Sequence, residues 1–143
     1  MTKNERRQTK YPDSLYFHYH NENPKNNVCG DCVVRAIARG MNKSYDEVYK
    51  DLYDLGFKKK RMPNDKNIYS QYLKNQGWIK CNQPKFEDNT KYTCIDFCKL
   101  IAKSNKRYIM NVGAHHIVAI VSCKVNDIWN SSNEKVGVYW YKP

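Results

Sequence analysis

The sequence lacks the long apolar runs that membrane insertion or export would require. No apolar stretch approaches the ~20 residues of a transmembrane helix. The first ten residues are polar and basic, and no apolar segment follows them, so we do not expect a signal peptide. These absences predict a chain that stays in a reducing cytoplasm, where its six cysteines are not paired as disulfides.

Acidic residues are scarce, and so is arginine. The chain has 25 Lys and Arg residues against 14 Asp and Glu, which gives a net charge of +11. Such an excess is typical of nucleic-acid-binding proteins. However, 19 of the 25 basic residues are lysines, and asparagine and tyrosine are also abundant, as AT-rich codons produce. Selection for phosphate contacts favours arginine, whose planar guanidinium binds phosphate bidentately. We therefore expect codon bias to be the main source of the charge.

Internal repeats and low-complexity segments are also absent. The length of 143 residues is that of one domain. Hydrophobic residues make up 41% of the chain and aromatic residues 13%, which excludes a disordered protein. We predict a flexible basic arm at residues 1–13, followed by a single domain at residues 14–143.

The period of the hydrophobic pattern changes along the chain from about 3.6 to 2. Four segments have helical periodicity and begin at a capping residue or end at a glycine: residues 31–40, 44–56, 68–77 and 93–101. Four runs with strand periodicity follow: residues 107–112, 116–121, 125–129 and 136–141. The connections between these runs are short, which favours an antiparallel meander. The sequence therefore predicts an α+β fold in which N-terminal helices pack on a C-terminal antiparallel β-sheet.

Cys32 lies in the first turn of the first of these helices. The helix dipole at that position lowers the pKa of a thiol and favours the nucleophilic thiolate. The backbone N–H of such a residue has no partner within the helix and can donate to a developing oxyanion. Cys32 therefore has the position of a catalytic nucleophile. The alternative is a small buried hydrophobic residue, which is the common role of a free cysteine.

His116 begins one strand and Asp127 lies near the end of the next. If residues 122–123 form a two-residue hairpin turn, His116 and Asp127 are diagonal neighbours on one face, ~7–8 Å apart at the backbone. A carboxylate beside a histidine orients the imidazole and stabilises its cation. Two alternatives stay open, because the histidine could be purely structural and the turn lacks the Gly or Asn that such hairpins prefer. A different loop length would exchange the faces of His115 and His116.

Together, these two segments resemble the papain-like cysteine peptidase superfamily, including small phage-encoded and bacteriocin-processing members. The papain-type signature is a Gln followed by Cys-Gly-x-Cys, with the nucleophilic second Cys six residues after the Gln. Residues 29–32 are Cys-Gly-Asp-Cys, and Asn26, one methylene shorter, stands in the place of the Gln. The family's His commonly begins a strand as His-x-Val, which residues 116–118 match. Asp127 fits the place of the Asn or Asp that orients this His, and the order along the chain is also that of the family.

The resemblance implies a papain-like fold, with Cys32 on a central helix packed against the sheet that carries His116 and Asp127. It implies a thiol hydrolase, and within that class a cysteine peptidase that cleaves amide bonds of a protein or peptide substrate. Cys32, His116 and Asp127 would form the catalytic triad, with Asn26 as an oxyanion donor, and no metal or cofactor is implied. The same residues would support transfer to an amine or deamidation. The C-terminal Tyr-Trp-Tyr at residues 139–141 also resembles small phage proteins, which would place the chain in a host cytoplasm.

Two other interpretations concern the cysteines. Cys29 and Cys32 have the spacing of zinc ligands and of thioredoxin-like redox motifs. Further zinc ligands would have to come from the remaining candidates: Cys81, Cys94, Cys98, His115 and His116. A second closely spaced pair of ligands is missing, and no strand leads into the motif. Both observations oppose these interpretations.

A basic run could contact an acidic or nucleic-acid partner, or could simply be a solvated loop. It consists of Lys58, Lys59, Lys60 and Arg61. The sequence therefore leaves a second class of function open. In that case the chain is a catalytically inactive papain-like fold that acts as a binding protein or as an inhibitor of host nucleic-acid-associated machinery.

Overall fold

The helices and strands follow the predicted change of period, and one helix and two short strands are present in addition. The computed structural model describes residues 1–143. Its helices are α1 (Lys3–Lys10), α2 (Cys32–Met41), α3 (Tyr45–Lys59), α4 (Lys66–Asn75) and α5 (Cys94–Leu100). Its strands are β1 (Phe17–Tyr19), β2 (Ile79–Cys81), β3 (Tyr108–Val112), β4 (His116–Val121), β5 (Lys124–Asp127) and β6 (Val136–Tyr141). The predicted α+β class is confirmed. None of the helices has the length and apolarity needed to cross a bilayer.

The six strands form one mixed sheet in the order β1-β5-β4-β3-β6-β2. Strands β3, β4 and β5 form the predicted antiparallel meander, but β6 pairs with β3 instead of β5. Strand β1 is parallel to β5 at one edge, and β2 is antiparallel to β6 at the other. The C-terminal strands are antiparallel to one another as predicted, but the sheet as a whole is mixed, because β1 adds a parallel strand at one edge. Strands β1 and β2 have three residues each, too few to show an alternating pattern.

Both faces of the sheet are covered. Ile109, Ile117 and Trp140 belong to a core formed with helices α2, α3 and α4. On the opposite face, Val118 and Ile120 pack in a second core that includes Phe97 of α5. Adjacent residues of β4 thus enter different cores, as the period of two requires. Helix α2 lies between β4 and α3, which brings its N-terminal end next to the sheet.

Helix α2 begins at Cys32 as predicted but ends later than the expected stop. Gly40 lies inside the helix, and Asn42, with a φ of 55°, provides the left-handed cap. Gly40 is required by packing, since a Cβ at this position would lie 2.8 Å from Cδ1 of Ile109 on β3 and closer still to its Cγ1. Helix α3 likewise continues past Gly56 to Lys59. A glycine in a helical pattern here marks close packing as well as helix ends.

The segment predicted as a flexible arm, residues 1–13, contains helix α1. Nη1 of Arg7 donates a hydrogen bond of 3.4 Å to the carbonyl of Ile128, and the hydroxyl of Tyr19 donates one of 2.8 Å to Oδ1 of Asn4. No residue of α1 is buried, so hydrophobic periodicity carries no signal for this helix. Most of this segment thus forms a surface helix that contacts the domain through polar groups.

Candidate active site

Cys32 is the first residue of α2, and its side chain is half-buried. The first backbone hydrogen bond of the helix runs from the amide of Arg35 to the carbonyl of Asp31, 2.9 Å. The amide of Cys32 precedes this bond and donates to no group of the protein. An unpaired amide at the positive end of a helix can donate to an anion. Cys32 thus combines a thiol and an oxyanion donor in one residue.

The hairpin between β4 and β5 has the predicted register. Val121 pairs with Lys124, and Ser122 and Cys123 form the two-residue turn. Their φ angles are 54° and 57°, the left-handed values that a type I′ turn requires at both positions. The turn therefore forms without the Gly or Asn that it prefers. Because the register holds, His116 and Asp127 lie on the same face of the sheet, as predicted.

His116 and Asp127 are joined by a hydrogen bond of 2.6 Å between Nε2 and Oδ2. Asp127 is 2% exposed, and the same carboxylate accepts from the amide of Ile128 at 2.7 Å and from Oγ of Ser131 at 3.1 Å. A buried carboxylate with this many donors is held in one orientation, and it holds the imidazole in turn. Because Nε2 is engaged, Nδ1 is the ring nitrogen that remains for Cys32.

The protonation of His116 is set by opposing effects. Burial lowers its pKa, but the hydrogen bond to Asp127 and the electrostatic influence of Asp127 and Cys32 outweigh burial and raise the pKa to about 9. The imidazole is therefore a cation at neutral pH. An imidazolium beside a thiol favours the thiolate, since the two charges stabilise each other. Cys32 and His116 can thus form a nucleophilic ion pair.

Arg35 is a member of the site that the sequence analysis did not identify. Its Nε donates to Oδ1 of Asp31 at 2.7 Å, and its Nη1 donates to Oδ1 of Asp127 at 3.1 Å. Arg35 is 7% exposed, so it joins two carboxylates inside the protein. The i, i+4 spacing of Asp31 and Arg35 on a helix is the signal that could have revealed the first of these pairs. The second pair depends on the position of β5 and has no local signal.

The far carboxylate of this network is also fully occupied. Oδ2 of Asp31 accepts from the hydroxyl of Tyr45 at 2.8 Å and from Nδ2 of Asn23 at 3.0 Å. Burial raises the pKa of Asp31, but hydrogen bonds from Asn23, Arg35 and Tyr45 have the larger, opposite effect. The pKa of Asp31 therefore lies below its usual value. Asp31 stays ionised and makes no capping bond to α2. A continuous polar chain therefore runs from Tyr45 on α3 through Asp31, Arg35 and Asp127 to the imidazole.

Asn26 does not join the other three predicted site residues. It lies exposed in the loop before α2 with a φ of 55°, its amide donates to the carbonyl of Asn23, and its side chain makes no hydrogen bond. It lines neither of the cavities that Cys32 and His116 share. The left-handed turn at this position leaves the side chain in solvent. Of the two predicted oxyanion donors, the amide of Cys32 is the one that lies at the candidate site.

Cys32 and His116 open into two cavities. One, of about 500 Å³, is lined by polar groups that include Lys66 and Asn111. The other, of about 310 Å³, lies towards α1 and includes Trp129, whose ring centroid is 5.1 Å from that of His116. The thiol is thus accessible from two sides, which an extended substrate would need.

The other five cysteines are also free thiols. Cys94 and Cys98 are buried in the core beside Phe97, as the helical stripe predicts, and burial raises the pKa of both thiols, to about 12 for Cys98. Cys29 is exposed as a residue, but partial desolvation of its thiol and the negative charge of Asp31 raise its pKa as well. No group of three or more His, Cys, Asp or Glu side chains is arranged to hold a metal ion.

The basic run lies at the end of α3. Lys58 and Lys59 occupy the last turn, and Lys60 is the left-handed cap. Lys60 places its ammonium 3.8 Å from the ring centroid of Phe57, and Arg61 pairs with Asp65 at 2.8 Å. None of these residues lines a cavity that contains Cys32. The run is therefore a separate exposed feature of the surface.

Comparisons of the chain with protein-family models, with curated proteins and with solved structures gave no match.

Proposed function

We propose that the chain is a thiol hydrolase with a papain-like arrangement, and that it acts as a cysteine peptidase. The observation that supports this best is the hydrogen bond between Asp127 and His116, with the second ring nitrogen left for the thiol at the start of α2. A nucleophile, a general acid–base group and an orienting carboxylate in this order form the catalytic unit of acyl transfer. The order along the chain and the helix-on-sheet setting also match the papain-like pattern.

In the first half of the proposed reaction, the thiolate of Cys32 attacks an amide carbonyl and forms a carbon–sulfur bond. The carbonyl oxygen becomes an oxyanion, which the amide of Cys32 stabilises by a hydrogen bond. The oxyanion then reforms the carbonyl, and the carbon–nitrogen bond breaks as Nδ1 of His116 gives its proton to the leaving amine. The product of this half is a thioester and a neutral imidazole.

In the second half, His116 takes a proton from water as the water oxygen attacks the thioester. The carbon–sulfur bond breaks, a carboxylic acid leaves, and the ion pair of Cys32 and His116 is restored. Asp127 orients the imidazole throughout and stabilises the cationic ring. An amine in place of water would give transfer instead of hydrolysis by the same steps.

Thiol reactivity provides the first test. At pH 6, iodoacetamide should modify Cys32 much faster than the other five cysteines, because only Cys32 has a cationic imidazole beside it. Peptide mass spectrometry after short labelling times gives the rate for each thiol. His116→Ala should abolish the difference, whereas the matched variant His115→Ala, at an exposed neighbouring residue, should keep it. Equal labelling of all cysteines, or labelling that His116→Ala leaves unchanged, would contradict the hydrolase.

Peptide cleavage provides the second part of the test. Incubation with a mixed peptide library should produce new amino and carboxyl termini, which mass spectrometry detects. Cys32→Ala should abolish them, and Cys29→Ser, at an exposed thiol three residues earlier, should retain them. A reactive Cys32 without new termini would favour an amine acceptor or another ester or amide substrate over peptides. An unreactive Cys32 would leave the inactive binding protein as the better interpretation.

A further inference from the structure

A third cavity adjoins the candidate active site and differs from the other two in its lining. It measures about 270 Å³. Three tyrosines of α3 form one wall, and apolar residues of α2 and of the segment before α4 complete it: Tyr45, Tyr49, Tyr53, Val33, Val34 and Met62. We call it the tyrosine cavity. We infer that it binds an apolar or aromatic side chain of the peptide substrate and thereby selects which peptides react. This inference rests on the proposed function.

The tyrosine cavity is continuous with the site through the residues around the nucleophile. Gly30 lines it and also lines both cavities that contain Cys32 and His116. Asp31 and Val33, the neighbours of Cys32 in the chain, line it as well. An extended peptide advances about 3.3 Å per residue. A substrate whose carbonyl contacts Cys32 therefore places a side chain close to the tyrosine cavity within one or two residues.

The chemistry of the lining favours an uncharged side chain. Asp31 is the one charged residue in it, and both of its oxygens are occupied by partners within the protein. A charged substrate side chain would find no free partner there, and burying an unpaired charge is costly. The neighbouring 500 Å³ cavity, with Lys66 and His115, is polar by contrast. The tyrosine cavity and the 500 Å³ cavity thus suit different substrate side chains.

Exposed aromatic surface in the cavity supports the same ligand. The rings of Tyr49 and Tyr53 stack with centroids 4.7 Å apart, yet these residues remain 42% and 48% exposed. Their faces can accept an aliphatic or aromatic side chain. Small-molecule pockets measure about 300–1,000 Å³, so the cavity has the size for one side chain and not for a folded partner. Tyr45 is fixed by its hydrogen bond to Asp31, which couples this wall to the start of α2.

Tripeptide vinyl sulfones give a direct test, because the thiolate adds to their double bond and the adjacent carbon takes up a proton. We would vary one side chain at a time among Phe, Leu, Asp and Lys and measure the second-order rate of Cys32 modification. At one position of the tripeptide, probes with Phe or Leu should modify Cys32 at least about tenfold faster than probes with Asp or Lys. Tyr49→Ala and Tyr53→Ala should each reduce that preference, and the double variant should remove it. The iodoacetamide rate should stay unchanged, since iodoacetamide has no side chain to bind.

Phe57→Ala is the matched control for the tyrosine variants. Phe57 lies on the same helix and is 74% exposed, but it does not line the cavity. Its substitution should leave both the side-chain preference and the rates unchanged. A loss of preference in Phe57→Ala equal to that in Tyr49→Ala would indicate a general effect of α3 and would contradict the inference.

Gly30 allows a complementary test. A Cβ built on Gly30 meets no atom within 4 Å, so a larger residue there points into open space. Gly30→Val should fold as the wild type does, and its iodoacetamide rate is measured to correct for any direct effect on Cys32. The substitution should slow the vinyl sulfones by tenfold or more, because the peptide has to pass over this position. A vinyl sulfone rate unaffected by Gly30→Val would show that the peptide takes another path.

The outcomes separate this inference from the proposed function. If iodoacetamide does not select Cys32, the proposed function fails, and the inference fails with it. If Cys32 is selectively reactive but the peptide probes show no side-chain preference, or keep it in the double tyrosine variant, only the inference is overturned. It is likewise overturned if sedimentation shows a dimer that the double variant converts to monomer, since a second copy would then cover the tyrosines.

Discussion

At Asp127, one buried carboxylate accepts hydrogen bonds from an imidazolium, a guanidinium, an amide and a hydroxyl. The charged side chains of Arg35 and His116 both bond to this carboxylate. This arrangement makes the orientation of His116 depend on Arg35, which also lines the smaller of the two cavities that contain Cys32. Single residues at this site therefore act through their buried neighbours.

The raised pKa of His116 predicts how stability depends on pH. Its pKa is about 9 in the folded chain, against 6.5 for an unperturbed histidine, so folding favours the protonated ring. This contribution, at most about 3 kcal/mol, is fully present below pH ~6.5 and is lost as pH rises through ~9. Urea unfolding of the wild type should therefore show a decline in stability between these values. In His116→Ala that decline should be smaller, and in His115→Ala it should persist. A wild-type stability that stays flat across this pH range would contradict the raised pKa.

Substitution of Arg35 should be severe. Arg35→Met leaves Asp31 and Asp127 without their shared cation in the protein interior, which typically costs about 3–5 kcal/mol. Urea unfolding at pH 7 measures the loss. Arg39→Met is the matched control one turn later, since Nε of Arg39 bonds the neutral Asn126 at 3.2 Å. It should cost distinctly less. If the two variants lost equal free energy of unfolding, the ion pairs of Arg35 with Asp31 and Asp127 would not make the contribution to stability that we expect.

At the scale of elements, the sequence is informative where a signal is local. The start of α2 at Cys32, the start of α5 after the capping residue Thr93, and the hairpin register of β4 and β5 are all confirmed. Helix α1 and strands β1 and β2 were not predicted, because a helix without buried residues and strands of three residues carry no hydrophobic period. The ends of α2 and α3 were misplaced because glycines that serve packing resemble glycines that end helices.

The packing of α2 on the sheet predicts that Gly40→Ala destabilises the chain. The added Cβ would collide with Cγ1 and Cδ1 of Ile109, a fully buried side chain on β3. Overpacking costs about 1–3 kcal/mol, which should exceed the roughly 1 kcal/mol that alanine contributes in a helix. Urea unfolding should show a net loss, and Ile109→Val in the same chain should recover part of it. Gly30→Ala, which meets nothing, should stay within about 0.5 kcal/mol of wild type. Higher stability in Gly40→Ala would contradict the close contact.

At the scale of the whole molecule, the charge and the chemistry occupy different places. The lysines at the end of α3 are exposed and lie outside the cavities of the site, whereas the ionised groups beside Cys32 are buried and paired. A net charge of +11 therefore says little about the reaction. The reaction would depend on α2, β4 and β5 meeting at one end of the sheet. Strand β1 joins them from the N-terminal half and extends the sheet beyond β5.

By itself, the sequence determined the helix-then-strand order, the position of Cys32 at a helix start and the diagonal pairing of His116 with Asp127. Each of these depends on residues close in the chain, through capping, periodicity or a two-residue turn. Only the tertiary structure decided that Arg35 links Asp31 to Asp127, that Asn26 faces solvent and that tyrosines of α3 line a cavity next to the start of α2. Those contacts depend on how α2 packs against β5 and α3. Local patterns do not encode such contacts, because they form only when distant segments pack together.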